Sequence, residues 1–184
     1  MDATMTPDVP RTRYSATARF LHWATAMLVV VAFVFGPGGS EQRVYSAARD
    51  FDRQLHETLG ICVFLLTLAR LAWRAFDAAP QEPPMPAWMR RAAKGGHGLL
   101  FLLLLAVPLT AVTGAWLEGH PLTFLANLRI APLLPEAHAA GAVIAEVHTW
   151  LGDTILWVAG IHAAVALLHH FVLRDRVLRS MLPG

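Results

Sequence analysis

Cysteine is almost missing from this chain. Cys62 is the only one in 184 residues, so no disulfide can close within the chain, and a Cys-ligated iron–sulfur cluster has no ligand set. No C-x-x-C-H run occurs, which removes covalent cofactor attachment by that route. Charge is scarce too: Asp, Glu, Lys and Arg make up 15% of the residues, against 55% hydrophobic. That balance is too apolar for a soluble domain of this size and points to the membrane class. The net charge is only +2, and no nucleic-acid partner is expected. Internal repeats and low-complexity tracts are absent as well.

What remains is apolar helix. Four spans are expected at about 16–35, 51–75, 92–117 and 141–173, in one domain covering 14–184, behind a flexible N-terminal arm over 1–13. Arg11, Arg13 and Arg19 precede the first apolar run, as they would in a signal peptide. The run is long, however, His22 and Trp23 sit at its start, and no A-x-A-like site follows, so a retained span is expected. Gly36-Pro37-Gly38-Gly39 should stop helix one, and Pro108 should kink helix three. The segment from Gly119 to Ala140 reads as a long loop.

Basic residues set the expected orientation. Eleven of the fifteen Lys and Arg fall in the N-terminal arm, around the connector between helices two and three, or in the tail. Only Arg43, Arg49, Arg53 and Arg129 fall on the other side. The positive-inside rule then places both termini in the cytoplasm of a bacterial inner membrane.

The stretch that calls for a chemical reason is VHTWLGDTILWVAGIHAAVALLHHF, from Val147 to Phe171, with His148, His162, His169 and His170 in an otherwise apolar span. Imidazoles are costly in hydrocarbon. His148 and His162 are fourteen residues apart, which leaves them about 40° out of register and about 21 Å apart along a helix. The offset vanishes at the ~3.5-residue period of a left-handed bundle. One helix thus presents two imidazoles the same way at two depths. His22, early in a helix that starts inside, shares the depth of His162; His56, early in a helix that starts outside, shares that of His148. A lone membrane histidine is more often an interhelical hydrogen-bond partner. Two couples matched in depth and face argue instead that His22/His162 and His56/His148 each clamp a haem iron. Such an iron is six-coordinate, which favours outer-sphere electron transfer over oxygen binding. Ala26, Gly60, Gly152 and Ala166 each follow a proposed ligand by four residues, where a small side chain would let a flat ring approach the backbone.

Other polar residues receive lesser roles. His97, opening helix three, is a candidate contact to a haem propionate or a quinone. His169, seven residues past His162, is a candidate quinone contact and proton donor at the inner boundary. His170 is expected to be an ordinary interfacial residue, and His120 and His138 to be solvated in the outer loop. Arg70 and Arg74 are expected to anchor lipid phosphates rather than to meet a propionate. The six tryptophans suit interfacial anchoring.

RFLHW around His22, LHETLGICVFLLTLARLAWR around His56, GHGLLFLLLLAVPLTAVTG opening helix three and the helix-four stretch above together give the chain a likeness. From about Tyr14 to Pro183 it resembles the bacterial cytochrome b561 family. The resemblance implies an all-α transmembrane four-helix bundle holding two non-covalent b-type haems on the four matching histidines. It also implies electron exchange with ubiquinone. Some members look like superoxide oxidases, which take an electron from periplasmic superoxide. Arg43, Arg49, Arg53 and Arg129 would form a basic funnel for that anion, opposed by nearby carboxylates. No catalytic residue is assigned, and the donor stays open between superoxide and a redox protein. The alternatives are a membrane subunit or anchor of a larger redox complex such as a hydrogenase, and a divalent-metal transporter using imidazole ligands. The transporter is disfavoured because the histidines are split between two depths, and Glu146 and Asp153 lie near the outer end only.

Overall fold

The computed structural model of the protein describes residues 11–36, 38, 41–81 and 83–182. The expected arm lies outside the described residues up to residue 10, as do Pro37 and Gly39 of the expected helix stop. Four long helices dominate: α1 (Ala16–Val34), α2 (Asp50–Phe76), α3 (Ala87–Leu117) and α4 (His138–Leu168). All four are long and apolar enough to cross a membrane. α3 starts earlier than expected because Pro86 caps it and its carbonyl accepts from Arg90 N at 3.2 Å. Arg90, Arg91 and Lys94 interrupt the apolar run there, which conceals that start in the sequence. α4 ends at Leu168 in a π-helical turn, His169–Leu173, closed by Arg174 in the left-handed region at φ 53.

α1 packs along α2, and α3 packs along α4, with α2 also meeting α3. The α3–α4 contact is nearly backbone on backbone. A Cβ on Gly114 would lie 3.2 Å from Ala145 N, and one on Gly141 would lie 3.0 Å from Glu118 N. Small residues permit this closeness, which packing in lipid rewards. Val63, Leu103, Leu104 and Ile155 tie α2, α3 and α4 together. Thr25 and Thr67 are the most deeply buried side chains, and each hydroxyl donates to a carbonyl of its own helix. By contrast, α4 meets α1 and α2 only sparsely. A groove of about 410 Å³, lined by Phe33, Asp153, Leu156, Trp157 and Gly160, opens between α1 and α4.

The end of the bundle carrying both termini is tied together by polar contacts. Asp77 accepts from Ser15 Oγ at 2.6 Å, Arg11 at 2.9 Å and Trp73 Nε1 at 3.2 Å. Ser15 also caps α1 by accepting from Ala18 N at 3.2 Å. The tail folds under α1: Trp23 Nε1 donates to Met181 O and Arg19 to Leu182 O. Trp23 and Trp73 therefore hold specific partners besides lying near helix ends.

At the opposite end the expected open loop is a folded cap. α3 ends in a Schellman turn, with Gly119 at φ 81, His120 N on Ala115 O and Gly119 N on Trp116 O. A two-residue hairpin follows, β1 (Leu122–Thr123) with β2 (Arg129–Ile130). α2 holds it from below: Thr123 N donates to Glu57 at 2.5 Å and Leu125 N to Thr58 Oγ1 at 3.0 Å. The buried Arg53 bridges Asp50 and Glu57 and lies over the Tyr45 ring, which stacks on His120 at 3.5 Å. His120 is thus stacked and half-buried instead of solvated, because the cap closes over it; His138 is exposed, as expected.

Gly114→Leu should lower stability by about 1–3 kcal/mol through overpacking, read as a lower melting temperature in detergent; unchanged melting contradicts the close α3–α4 contact. Glu57→Ala removes an acceptor from a buried amide and a buried cation, at a cost of about 1–3 kcal/mol. Amide exchange at Thr123 and Leu125 should then accelerate while the centre of α2 stays protected. The bonds from Ser15 and Arg11 hold the Asp77 carboxyl below the usual carboxylate range. A depressed value stabilises the fold above the unfolded carboxyl value, and this is lost as pH falls through the folded value. Asp77→Asn should therefore flatten the acid limb of a melting-temperature profile, below about pH 4.

Candidate metal centre

α4 contributes His148 and His162, α1 contributes His22 and α2 contributes His56. The fold brings together both expected couples. The His22 and His162 ring centres are 6.3 Å apart with planes at 68°; those of His56 and His148 are 6.0 Å apart at 80°. An imidazole nitrogen lies about 1.1 Å from its ring centre and about 2 Å from a first-row metal it binds, so two rings on opposite sides of one ion have centres about 6 Å apart. Both couples match that span.

The surroundings of the cap-end couple set its tautomers. His56 Nδ1 lies 2.7 Å from Ala32 O, and His148 Nδ1 lies 2.9 Å from Val107 O. A carbonyl only accepts, so Nδ1 carries the proton and Nε2 keeps its lone pair for a metal. The couple at the terminus end is arranged differently. His22 Nδ1 faces the Arg70 guanidinium at 3.1 Å. The His97 ring stands 5.4 Å from that of His162, so a third imidazole borders this couple.

Both couples bridge the sparse seam where α4 meets α1 and α2. A Cβ on Gly60 or Gly152 would meet nothing within 4 Å, so the space one turn beyond His56 and His148 is open. Paired imidazoles, free Nε2 lone pairs on His56 and His148, and lateral room fit a flat metallocycle held from both faces. Among the described residues, no three His, Cys, Asp or Glu side chains converge on a bare ion.

Three other residues sit differently from expectation. Arg70 does not reach toward lipid phosphate: its guanidinium turns inward to His22 and lies 5.1 Å over the Phe101 ring, while Arg74 is exposed. Arg70 follows His56 by fourteen residues, the spacing that aligns His148 with His162, and that signal could have placed it. His169 is buried in the π turn, with Nδ1 2.5 Å from Asp175 Oδ2; the other Asp175 oxygen accepts from Val177 N at 2.9 Å. Asp175 stands between Arg174 and Arg176 in a basic stretch, and nothing in that stretch signals the contact. His170 is half-buried beside Phe171, with its Nδ1 enclosed and unbonded. The expected outer funnel is also partly neutralised, since Arg53 pairs with Asp50 and Glu57, and Arg49 with Asp52 at 3.0 Å.

Comparison with known proteins gives this geometry a family. A family described as prokaryotic cytochrome b561 matches residues 13–184. The chain is 33% identical over 184 residues to cytochrome b562 of Cereibacter sphaeroides, covering 97% of this chain and 98% of that one. It is 28% identical over 185 residues to cytochrome b561 homolog 2 of Escherichia coli K12, covering 99% and 95%. It is 27% identical over 179 residues to the probable superoxide oxidase CybB of Yersinia pestis, covering 93% and 96%. A four-helix bundle, two imidazole couples and a match over nearly the whole length lead to one conclusion: the chain belongs to the prokaryotic cytochrome b561 family of haem-binding membrane electron-transfer proteins.

Proposed function

We propose that this protein carries electrons through two haems across the bacterial inner membrane, from a periplasmic donor to ubiquinone. The observation supporting this most directly is the pair of imidazole couples, 6.3 and 6.0 Å between ring centres, at opposite ends of one bundle. In this reading His56 and His148 hold a haem near the periplasm, and His22 and His162 hold one near the cytoplasm. The basic residues clustered at the terminus end support that orientation. When bound, b-type haem supplies a one-electron ferric/ferrous couple. The carbonyls of Ala32 and Val107 fix the tautomers of His56 and His148, and two imidazoles on each haem iron would favour outer-sphere electron transfer over binding of small molecules.

In this reading the acceptor binds at the terminus end, near His97 and His169. Ubiquinone needs two protons as well as two electrons to become ubiquinol. His169 against Asp175 forms an imidazole–carboxylate dyad suited to proton delivery there. For the donor, the superoxide oxidase name carried by the Yersinia relative favours superoxide. The pairing of Arg49 and Arg53 with carboxylates favours a second reading, in which a redox protein docks at the cap and the chain serves as a membrane subunit or anchor. A divalent-metal transporter fits less well, because the donors come in twos.

A pyridine haemochromogen assay on purified protein should give two haems per chain. His148→Ala and His162→Ala should each lose one haem and keep the other; a single haem in the unaltered protein contradicts the proposal. His169→Ala should keep both haems and slow quinone reduction about 10²-fold or more. In stopped flow, superoxide should reduce the haems quickly, with reoxidation on adding ubiquinone; no reduction by superoxide would move the donor to a protein.

A further inference from the structure

Arg70 is a cation inside a span. The described residues give it two partners, the His22 ring at 3.1 Å and the Phe101 ring at 5.1 Å, and neither is an anion. Arg74, one turn on, adds a second cation and no counter-ion. A charge kept in such a place calls for a partner of opposite sign.

The His22 contact cannot be that partner once His22 holds iron. A guanidinium only donates, so in this contact Nδ1 accepts and the ring proton sits on Nε2. Ligation through Nε2 moves the proton to Nδ1 and sets two donors face to face. Ligation through Nδ1 takes up the lone pair that Arg70 uses. Either way this contact and an iron-bound His22 exclude each other, so Arg70 needs another partner. His56 and His148 face no such conflict, because their Nδ1 atoms already rest on carbonyls. A b-type haem supplies anions of its own, since it carries two propionate carboxylates. A planar guanidinium is well matched to a carboxylate, and the Phe101 face supports its plane.

We infer that Arg70 is the counter-ion of a propionate on the haem held by His22 and His162. This rests on the two-haem reading above, whose failure shows separately as a haem count below two in the unaltered protein. The pairing offsets negative charge beside one iron and raises that haem's reduction potential relative to an uncompensated site.

The test is a redox titration of the purified holoprotein and its Arg70→Gln and Arg70→Lys variants. In addition, reduced-minus-oxidised infrared spectra are taken on protein grown with haem isotopically labelled in its propionate carboxyls. Arg70→Gln should keep both haems and lower one midpoint potential, shifting that haem's reduced-to-oxidised ratio about tenfold, or about 59 mV, with the other unchanged. It should also move the labelled carboxylate band. Arg70→Lys, which keeps the charge, should hold both haems with potentials near the original. Loss of one haem from Arg70→Gln but not from Arg70→Lys also supports the pairing. Unchanged potentials and an unmoved band overturn it, as does loss of a haem from both variants. A weaker quinone KM with unmoved haem signals overturns it too, and assigns Arg70 to the acceptor.

Discussion

An imidazole inside an apolar bundle must be satisfied, and how four of them are satisfied determines this structure. Two couples stand with ring centres about 6 Å apart, across the seam where α4 meets its neighbours least. Elsewhere the helices approach closely, with Gly114 and Gly141 bringing α3 and α4 to backbone contact. Tight packing on two sides of the bundle and open space on the third are what a plate-shaped cofactor requires. Large apolar side chains such as Phe20, Leu65, Leu102 and Trp157 are exposed on all four long helices, as expected of helices that turn their outer faces to lipid.

The two ends solve the problem differently. At the cap end, backbone carbonyls fix the ligand tautomers, and a network of Arg53, Asp50, Glu57 and Thr123 locks a hairpin beside His56. At the terminus end, the ligand His22 faces a guanidinium, a third imidazole stands beside His162, and a buried His169–Asp175 dyad lies in a π turn. At the first end the ligand tautomers are preset by carbonyls. The second gathers a guanidinium and several imidazoles, groups that the proposed proton-consuming acceptor would use.

Much of this was legible in the chain itself. Four apolar runs gave the helices to within a few residues, because hydrocarbon thickness fixes span length. The fourteen-residue interval gave both histidine couples, because helical geometry turns spacing into direction. What stayed hidden depended on contacts between distant segments. The hairpin cap is held by Glu57 and Thr58, more than sixty residues away from it, and its strands are too short to show a period. Asp175 matters through His169 and the turn between them, which no helical pattern foretells. Arg70 lies near the end of α2, which suggests the lipid interface, but its fourteen-residue interval from His56 points it inward.

If each proposed haem iron is held by two imidazoles, one from each side, low-temperature electron paramagnetic resonance of the oxidised protein will show it. With ring planes at 68° and 80°, the account requires two low-spin ferric signals, both of the strongly anisotropic kind produced by steeply crossed axial imidazoles. A high-spin ferric signal, or carbon monoxide binding to the reduced protein, would reveal an iron missing one imidazole and would contradict the account.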